Sequence, residues 1–193
     1  CDGPTSYGPA RLISGKTGTT IRVHDGSTIP AVLFISAAGC GDVDRDGAPD
    51  YACGGNGYVA IFSGKAGALI HRITSPLSSC GNPYGGSSYS YLGVFLAGGF
   101  DLDHDGVPDV VATSDSECCN GLGRPVGQFA FSGRTGALLY VITFDWPSFG
   151  MIGNGTGIGS CPIAAVRQAG NPYPCFVYSE PVFGYDPGVL SFN

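Results

Sequence analysis

Hydrophobic residues along the chain occur in short runs, and the stretches between the runs are rich in glycine, proline, serine and aspartate. Three pairs of such runs flank an S-G-x-x-G sequence, at Ser14–Gly18, Ser63–Gly67 and Ser132–Gly136. Runs of this length between turn residues are typical of β-strands, and glycine readily adopts the positive φ angles of a tight reversal. The pattern predicts three β-hairpins in an all-β chain, and we find no stretch with helical periodicity.

A second motif, D-x-D-x-D-G-x-P-D, occurs at Asp42–Asp50 and again at Asp101–Asp109. Carboxylates at alternate positions, a glycine that allows a sharp turn and a closing acid form a set of hard oxygen ligands suited to Ca²⁺. Without a cation, carboxylates so close together would repel each other. The sequence therefore predicts two Ca²⁺ sites and no other cofactor. The predicted ligands are Asp42, Asp44, Asp46, Asp50 and the Ala48 carbonyl in the first site, and Asp101, Asp103, Asp105, Asp109 and the Val107 carbonyl in the second.

Each acidic loop precedes one S-G-x-x-G hairpin, so the two motifs define a repeating unit. The unit reads strand, acidic loop, strand, variable loop, strand, turn and strand, which predicts a blade of four antiparallel strands. We predict a single β-repeat domain over residues 1–193, with about three and a half repeats. Its predicted parts are a half blade at 8–23, blades at 30–74 and 91–144, and a degenerate C-terminal blade at 150–193.

Together the two motifs resemble the FG-GAP family of calcium-binding β-propeller repeats, which is known from integrin α-chain heads and from secreted bacterial proteins. The segment Tyr91–Phe100 is similar to the lead-in sequence of that family. The resemblance covers residues 8–145 and weakens from residue 146 onward, where no further D-x-D-x-D sequence follows. It implies a β-propeller-like array of blades that carries calcium in its acidic loops.

The predicted number of repeats is small, because closed propellers have four to eight blades. Three arrangements stay open: a four-bladed ring that joins both termini in one blade, an open arc, and a subunit completed by a neighbouring copy. Joining both ends in one blade would give five strands (two plus three) where four are wanted. Unpaired terminal β edges add strands from other chains. We therefore expect a homo-oligomer or homopolymer formed through terminal β edges, with a head-to-tail filament as its extended form.

Charge and hydropathy exclude two classes of partner. The net charge is −6, and the nine Lys and Arg residues do not cluster, so no nucleic-acid partner is expected. The apolar runs are far shorter than the roughly 20 residues that a helix needs to cross a bilayer, so no membrane span is expected. The sequence shows no signal peptide, and we interpret it as a mature or processed secreted chain.

The cysteine content indicates an oxidising compartment. The chain has eight cysteines, an even number, and no C-x-x-C pair, which favours disulfides and an extracellular location, secreted or at the cell surface, over zinc. Cys40 and Cys53 flank the first acidic loop, where a bridge would clamp the calcium site. Cys161 and Cys175 flank an apolar run and a turn, where a bridge would close the last unit.

The remaining cysteines are harder to pair. Cys118 and Cys119 are adjacent and are expected to bond two different partners, because neighbouring Cα atoms are too close for relaxed disulfide geometry. Cys80 is a candidate partner for one of them. Cys1 is either the eighth disulfide member or the lipid-bearing first residue of a bacterial lipoprotein.

No catalytic motif is found, and we predict that the protein is not an enzyme. The chain has no nucleophile elbow, no H-E-x-x-H sequence and no phosphate-binding glycine loop. Its histidines, His24, His71 and His104, are scattered, and the side chain of His104 is expected to point to solvent. Asn154 begins the one N-x-S/T sequon, which is either a glycosylation site or a chance occurrence.

These features favour an extracellular, calcium-binding structural or adhesion module of the β-propeller type. The alternative is a carbohydrate-binding module, and a hydrolase or lyase fragment is a weaker third hypothesis. The partner of the module would be another copy of the chain, an extracellular protein or a glycan. Tyrosines in or near turn-rich segments would form the carbohydrate surface: Tyr84, Tyr89, Tyr91, Tyr173, Tyr178 and Tyr185.

Overall fold

The computed structural model describes residues 9–25, 34–55, 57–74, 91–115, 127–143, 163–166, 169 and 175–178. These residues form β-strands and no helix, which confirms the predicted all-β class for this part of the chain. In chain order the strands are β1 (Ala10–Ile13), β2 (Thr20–His24), β3 (Ser36–Gly41), β4 (Asp50–Gly55), β5 (Tyr58–Phe62), β6 (Leu69–Thr74), β7 (Tyr91–Phe100), β8 (Asp109–Asp115), β9 (Gly127–Phe131), β10 (Leu138–Thr143), β11 (Ile163–Val166) and β12 (Cys175–Tyr178).

The central strands form two four-stranded antiparallel sheets. Strands β3, β4, β5 and β6 lie in that order in sheet 1, and β7, β8, β9 and β10 lie in the same order in sheet 2. Strands β1 and β2 form an N-terminal hairpin, and β11 and β12 form a C-terminal hairpin. The predicted four-stranded antiparallel unit is confirmed, whereas the described residues show no closed ring of sheets.

Each S-G-x-x-G motif forms the turn of one hairpin. In sheet 1 the N–H of Gly67 donates to the carbonyl of Ser63 at 2.7 Å, and the corresponding bond recurs in the other two turns at 2.8 Å. The last glycine of the motif has a φ of 69°, 70° and 71° in the three turns. Other residues are strained in this left-handed region, which explains the second glycine of the motif. The three predicted hairpins are therefore β1–β2, β5–β6 and β9–β10.

Sheets 1 and 2 pack face to face around the main hydrophobic core. Sheet 1 contributes Val59 and Ile61, and sheet 2 contributes Phe129 and Phe131, whose rings are stacked with centroids 6.4 Å apart. Burial of such apolar side chains is the main favourable contribution to folding. The buried members of this core are Cys40, Val43, Ala52, Val59, Ile61, Ile73, Leu92, Val107, Val110, Ala112, Phe129 and Phe131.

The N-terminal hairpin covers the opposite face of sheet 1. His24 of β2 stacks on the ring of Phe62 with centroids 3.9 Å apart, and its Nε2 lies 2.6 Å from the hydroxyl of Tyr51. Phe34 meets Phe62 edge-on at 6.1 Å, and Ala10 of β1 packs against the same cluster. The hairpin thus stacks on sheet 1 as sheet 1 stacks on sheet 2.

The two sheets approach most closely where glycines face each other. A Cβ atom on Gly93 of β7 would lie 2.8 Å from the Cα of Gly54 in β4. A Cβ atom on Gly98 would lie 3.0 Å from the Cβ of Cys40. Side chains at these positions would push the sheets apart, so the glycines allow backbone to pack directly on backbone.

Cys40 and Cys53 do not form the bridge that their positions around the first acidic loop predicted, and both are free and buried. Cys53 lies opposite Ala37, and the register of β3 on β4 shifts between Gly39 and Gly41, next to Cys40. Cys40 belongs to the core between the sheets, whereas Cys53 belongs to the cluster on the other face of sheet 1. Thiols on opposite faces of a sheet cannot meet the geometry of a disulfide.

Several predictions fall on residues that the structure does not describe. Cys175 begins β12 and is half-buried, but its expected partner lies outside the described residues, so that pairing stays a prediction. The residues concerned are Cys1, Cys80, Tyr84, Tyr89, Cys118, Cys119, Asn154, Cys161, Tyr173 and Tyr185.

Candidate metal centres

The two acidic loops have the same backbone conformation. Each follows the first strand of a sheet, β3 or β7, and leads into the second. The residues between the second and third acids, Arg45 and His104, have left-handed φ angles of 61° and 60°. The glycines that follow, Gly47 and Gly106, have φ angles of 87° and 79°. The glycine was predicted to make the turn, whereas the left-handed residue before the third acid was not predicted.

The first acid of each loop organises the backbone around it. The carboxylate of Asp42 accepts hydrogen bonds from the N–H groups of Asp46 and Gly47, both at 3.0 Å. The carboxylate of Asp101 accepts from Asp105 at 3.0 Å and from Gly106 at 2.9 Å. These bonds fold the loop back, so that the backbone four and five residues later lies against the carboxylate of the first acid.

Three acids of each loop meet at one point. Ligand oxygens of the first, second and last acid all lie within 4.8 Å of one another: Asp42, Asp44 and Asp50 in the first loop, and Asp101, Asp103 and Asp109 in the second. In both loops the first acid is half-buried, the second is exposed and the last is buried. A cation bound there would thus lie between one buried, one half-buried and one exposed carboxylate.

The third acid lies outside this cluster in both loops. Asp46 accepts hydrogen bonds from the N–H of Ala48 at 2.9 Å and from the hydroxyl of Ser63 at 3.3 Å. Asp105 accepts from the N–H of Val107 at 2.8 Å and forms an ion pair with Arg134. Coordination by these two carboxylates, and by the carbonyls of Ala48 and Val107, stays a prediction.

The last acid joins the acidic loop to the S-G-x-x-G turn. One oxygen of Asp50 accepts from the N–H of Val43 at 2.7 Å, and the other accepts from the N–H of Gly64 at 2.8 Å. Asp109 makes the same two kinds of bond, to Leu102 at 2.6 Å and to Gly133 at 2.8 Å. This clasp explains why the two motifs occur together in each unit.

The first glycine of the turn is required by this clasp and was missed as a site residue. A Cβ atom on Gly64 would overlap the carbonyl oxygen of Pro49, and one on Gly133 would overlap that of Pro108. The fixed pairing of the S-G-x-x-G motif with the D-G-x-P-D motif was the signal in the sequence that pointed to this contact.

Basic side chains surround the third acid of each loop. Lys65 donates to the carbonyl of Asp46 at 3.0 Å, and Arg134 donates to the carbonyl of Asp105 at 2.5 Å. Arg45 of the first loop also donates to the carbonyl of Asp105, at 3.3 Å, so that the two loops are neighbours. The hydrogen bond from Arg134 lowers the pKa of the Asp105 carboxyl.

The ligand cluster, unlike the third acid, has no basic side chain to balance its charge among the hydrogen bonds described above. Burial raises the pKa of Asp109, and the neighbouring charges of Asp103 and Asp101 raise it further, while hydrogen bonds from the backbone oppose the shift. The ionised cluster therefore carries negative charge that its surroundings do not fully compensate. A set of oxygen donors with excess negative charge fits a hard divalent cation such as Ca²⁺.

The histidines lie in unrelated places. His24 is buried under the N-terminal hairpin, and His71 contacts the carbonyl of Gly133 through Nε2 at 2.8 Å. His104 is exposed in the second acidic loop, as expected.

The fold and the site define an all-β repeat protein with one acidic loop in each of its two four-stranded sheets. The chain is similar to human integrin alpha-6, with 28% identity over 107 residues. This match covers 53% of the chain and only 9% of integrin alpha-6. No family model matches the chain, and no solved structure matches it. Within the described ranges, no helix is long and apolar enough to cross a membrane.

Proposed function

We propose that this chain is an extracellular, calcium-stabilised β-repeat module of the FG-GAP type with a structural or adhesive role. The observation that carries the proposal is the convergence of three carboxylates at the same point of two equivalent loops. Calcium would offset most of the negative charge of the three carboxylates and hold the loop on the following turn. The resemblance of the motifs to integrin α repeats and the similarity to integrin alpha-6 support the same class.

The donor set favours calcium over other metals. The cluster contains carboxylate oxygens and no histidine or cysteine among the described residues, which disfavours zinc. An irregular loop with the carboxylates at its rim suits the flexible coordination of Ca²⁺ better than the strict octahedron of Mg²⁺. Weak sites of this kind are filled at the millimolar calcium found outside cells.

The experiment that tests the proposal counts bound ions. Native mass spectrometry of the chain in calcium should show two ions. Asp44→Asn and Asp103→Asn should each lose one ion, because these exposed acids contribute to different clusters. Asp25→Asn, an exposed acid outside both loops, is the matched control and should keep two. No bound ion in the intact chain, or two ions in either loop variant, would overturn the proposal.

The alternatives have no specific support from the described residues. Most of the tyrosines in the carbohydrate-binding hypothesis lie outside the described ranges, and Tyr91 and Tyr178 lie in β7 and β12. The enzyme hypothesis has no group of residues with a defined role. The partner that we favour for the module is a second copy of the chain, because unpaired strand edges recruit further strands.

A further inference from the structure

The turns that follow the two acidic loops carry different basic residues at the same position. The third residue of the S-G-x-x-G motif is Lys65 in sheet 1 and Arg134 in sheet 2. Both side chains are exposed, and each reaches back to the third acid of the acidic loop in its own sheet. Because the two loops share one backbone conformation, the difference between lysine and arginine can be compared directly.

Arg134 holds the third acid of the second loop at two points. Its Nε donates to Oδ2 of the Asp105 carboxylate, and its Nη2 donates to the backbone carbonyl of the same residue. A guanidinium presents several N–H groups in one plane, so it can hold a carboxylate and a carbonyl at once. The other carboxylate oxygen of Asp105 accepts from the N–H of Val107 at 2.8 Å. Both oxygens of this carboxylate are therefore engaged away from the ligand cluster.

Lys65 holds the third acid of the first loop at one point. Its Nζ donates to the backbone carbonyl of Asp46 at 3.0 Å. The Asp46 carboxylate uses Oδ2 to accept a longer hydrogen bond, at 3.3 Å, from the neutral hydroxyl of Ser63. A guanidinium–carboxylate bond, in which both partners are charged, is stronger than a long bond from a neutral hydroxyl. The carboxylate of Asp46 is thus held less firmly than that of Asp105.

A second arginine fixes the backbone at Asp105. Arg45 of the first loop donates its Nη2 to the Asp105 carbonyl at 3.3 Å, and a Cβ atom on Gly106 would lie 3.4 Å from the same nitrogen. The peptide group after Asp105 is therefore held by one arginine from its own sheet and one from the neighbouring sheet.

These contacts decide how easily the third acid could become a calcium ligand. In both loops this carboxylate lies outside the cluster of the other three acids. To join the cluster, Asp46 would exchange a long hydrogen bond, whereas Asp105 would break an ion pair. The affinity of a calcium loop depends on the number and charge of its ligands. A loop whose third acid stays outside the cluster should therefore bind calcium more weakly.

We propose that the Arg134–Asp105 pair keeps the third acid of the second loop away from the ligand cluster, so that the second loop binds calcium more weakly than the first. Arg134 is a positioning residue in this arrangement, and the choice of arginine or lysine at one turn position sets the affinity of the loop. The site of sheet 1 would fill first as the calcium concentration rises, and the site of sheet 2 would follow. This inference rests on the proposed function, in which both loops bind calcium.

The test measures each loop separately. Asp44→Asn leaves the second loop intact and Asp103→Asn leaves the first loop intact, so calorimetric titration with calcium gives one affinity for each protein. The Asp103→Asn protein should bind calcium about fivefold more tightly than the Asp44→Asn protein, the effect of an exposed ion pair at the upper end of its range.

Exchange of the two basic residues then tests the cause. Adding Arg134→Lys to Asp44→Asn should tighten the second site by about fivefold, because lysine releases the Asp105 carboxylate. Adding Lys65→Arg to Asp103→Asn should weaken the first site by a similar factor. Both exchanges conserve charge, so they change the hydrogen-bond geometry at the third acid. Arg134→Lys added to Asp103→Asn is the matched control and should leave the affinity of the first site unchanged.

The direction of the effect separates positioning from support of the fold. If Arg134 only supported the loop, its replacement would weaken the second site, whereas the inference requires a tighter one. Equal affinities of the two loops, or an exchange at either turn that leaves the affinity unchanged, would overturn the inference while calcium binding itself stands. If the intact chain binds no calcium, the proposed function fails, and this inference fails with it.

Discussion

His24 joins the N-terminal hairpin to sheet 1 as a buried, neutral side chain. It is 2% exposed, and its buried Nδ1 has no hydrogen-bond partner among the described residues. Burial lowers the pKa of His24 below its ordinary value of 6.5, and the neighbouring charge of Arg22 acts in the same direction, against a smaller effect of Asp25. The folded state therefore holds the proton less tightly than the unfolded chain does.

The stability that His24 contributes should decrease with acidification. It is fully present above the unfolded pKa of about 6.5 and is lost as the pH falls towards the lower pKa of the folded state. The melting temperature in calcium should therefore fall more steeply from about pH 7.5 to pH 5.5 in the intact chain than in His24→Phe, in which the stack on Phe62 is kept. Equal slopes in the two proteins would contradict this role of His24.

The buried thiols of Cys40 and Cys53 should be unreactive in the folded protein. Burial raises the pKa of Cys40 to about 12, with Asp50 as a further cause, and raises that of Cys53 to about 11. Since only the thiolate reacts, neither should be labelled by iodoacetamide at pH 8, and both should be labelled in guanidinium without a reductant. Peptide mapping gives the readout, and a Cys40–Cys53 bridge would appear as a linked peptide instead.

At the scale of elements, the acidic loop and the S-G-x-x-G turn form one structural unit. Asp109 and Gly133 are 24 residues apart in the chain (133 minus 109), yet the carboxylate accepts the hydrogen bond of the glycine at 2.8 Å. The loop therefore positions the turn even where a long variable segment lies between them.

Substitution of the first glycine of the S-G-x-x-G turn should destabilise the two four-stranded sheets but not the N-terminal hairpin. Gly64→Ala and Gly133→Ala would force a methyl group onto the carbonyl of the proline in the acidic loop and should lower the free energy of unfolding by about 2–3 kcal/mol or more. Gly15→Ala should change it by less than about 0.5 kcal/mol, because nothing lies within 4 Å of the added atom. Urea denaturation gives the free energy of unfolding of all three variants. Equal values for the three would show that the added methyl groups at positions 64 and 133 are accommodated without cost.

Local patterns were readable from the sequence, and long-range contacts were not. The turns and the acidic loops were predicted because their φ angles and short-range hydrogen bonds depend on a few consecutive residues. The Cys40–Cys53 pairing was wrong because the register shift between Gly39 and Gly41 is not visible in the spacing, and the side of the sheet depends on register. The clasp at Asp50 was also missed, since spacing alone does not show which backbone groups a carboxylate meets.

For the whole molecule, calcium should contribute to stability through both sheets. An ion that binds only the folded state stabilises it by about 2.7 kcal/mol per site at a hundredfold excess over Kd. EDTA should therefore lower the melting temperature of the intact chain. The double variant Asp44→Asn, Asp103→Asn is the control and should melt at the same temperature with and without EDTA. If EDTA leaves the melting temperature of the intact chain unchanged, the ion has no structural role.

The glycines between the sheets have a geometric consequence. Backbone lies close to backbone along β7, at Gly93 against Gly54 and at Gly98 against Cys40, whereas the side of the interface at β5 and β9 is filled by large side chains such as Phe129 and Phe131. The gap between the two sheets is thus wedge-shaped, thin along β7 and thick on the side of β5 and β9. A stack of wedges bends towards its thin edge, so the size of the residue at position 93 sets a radius of curvature. Further sheets joined by the same contact would therefore follow a curved path rather than a straight one.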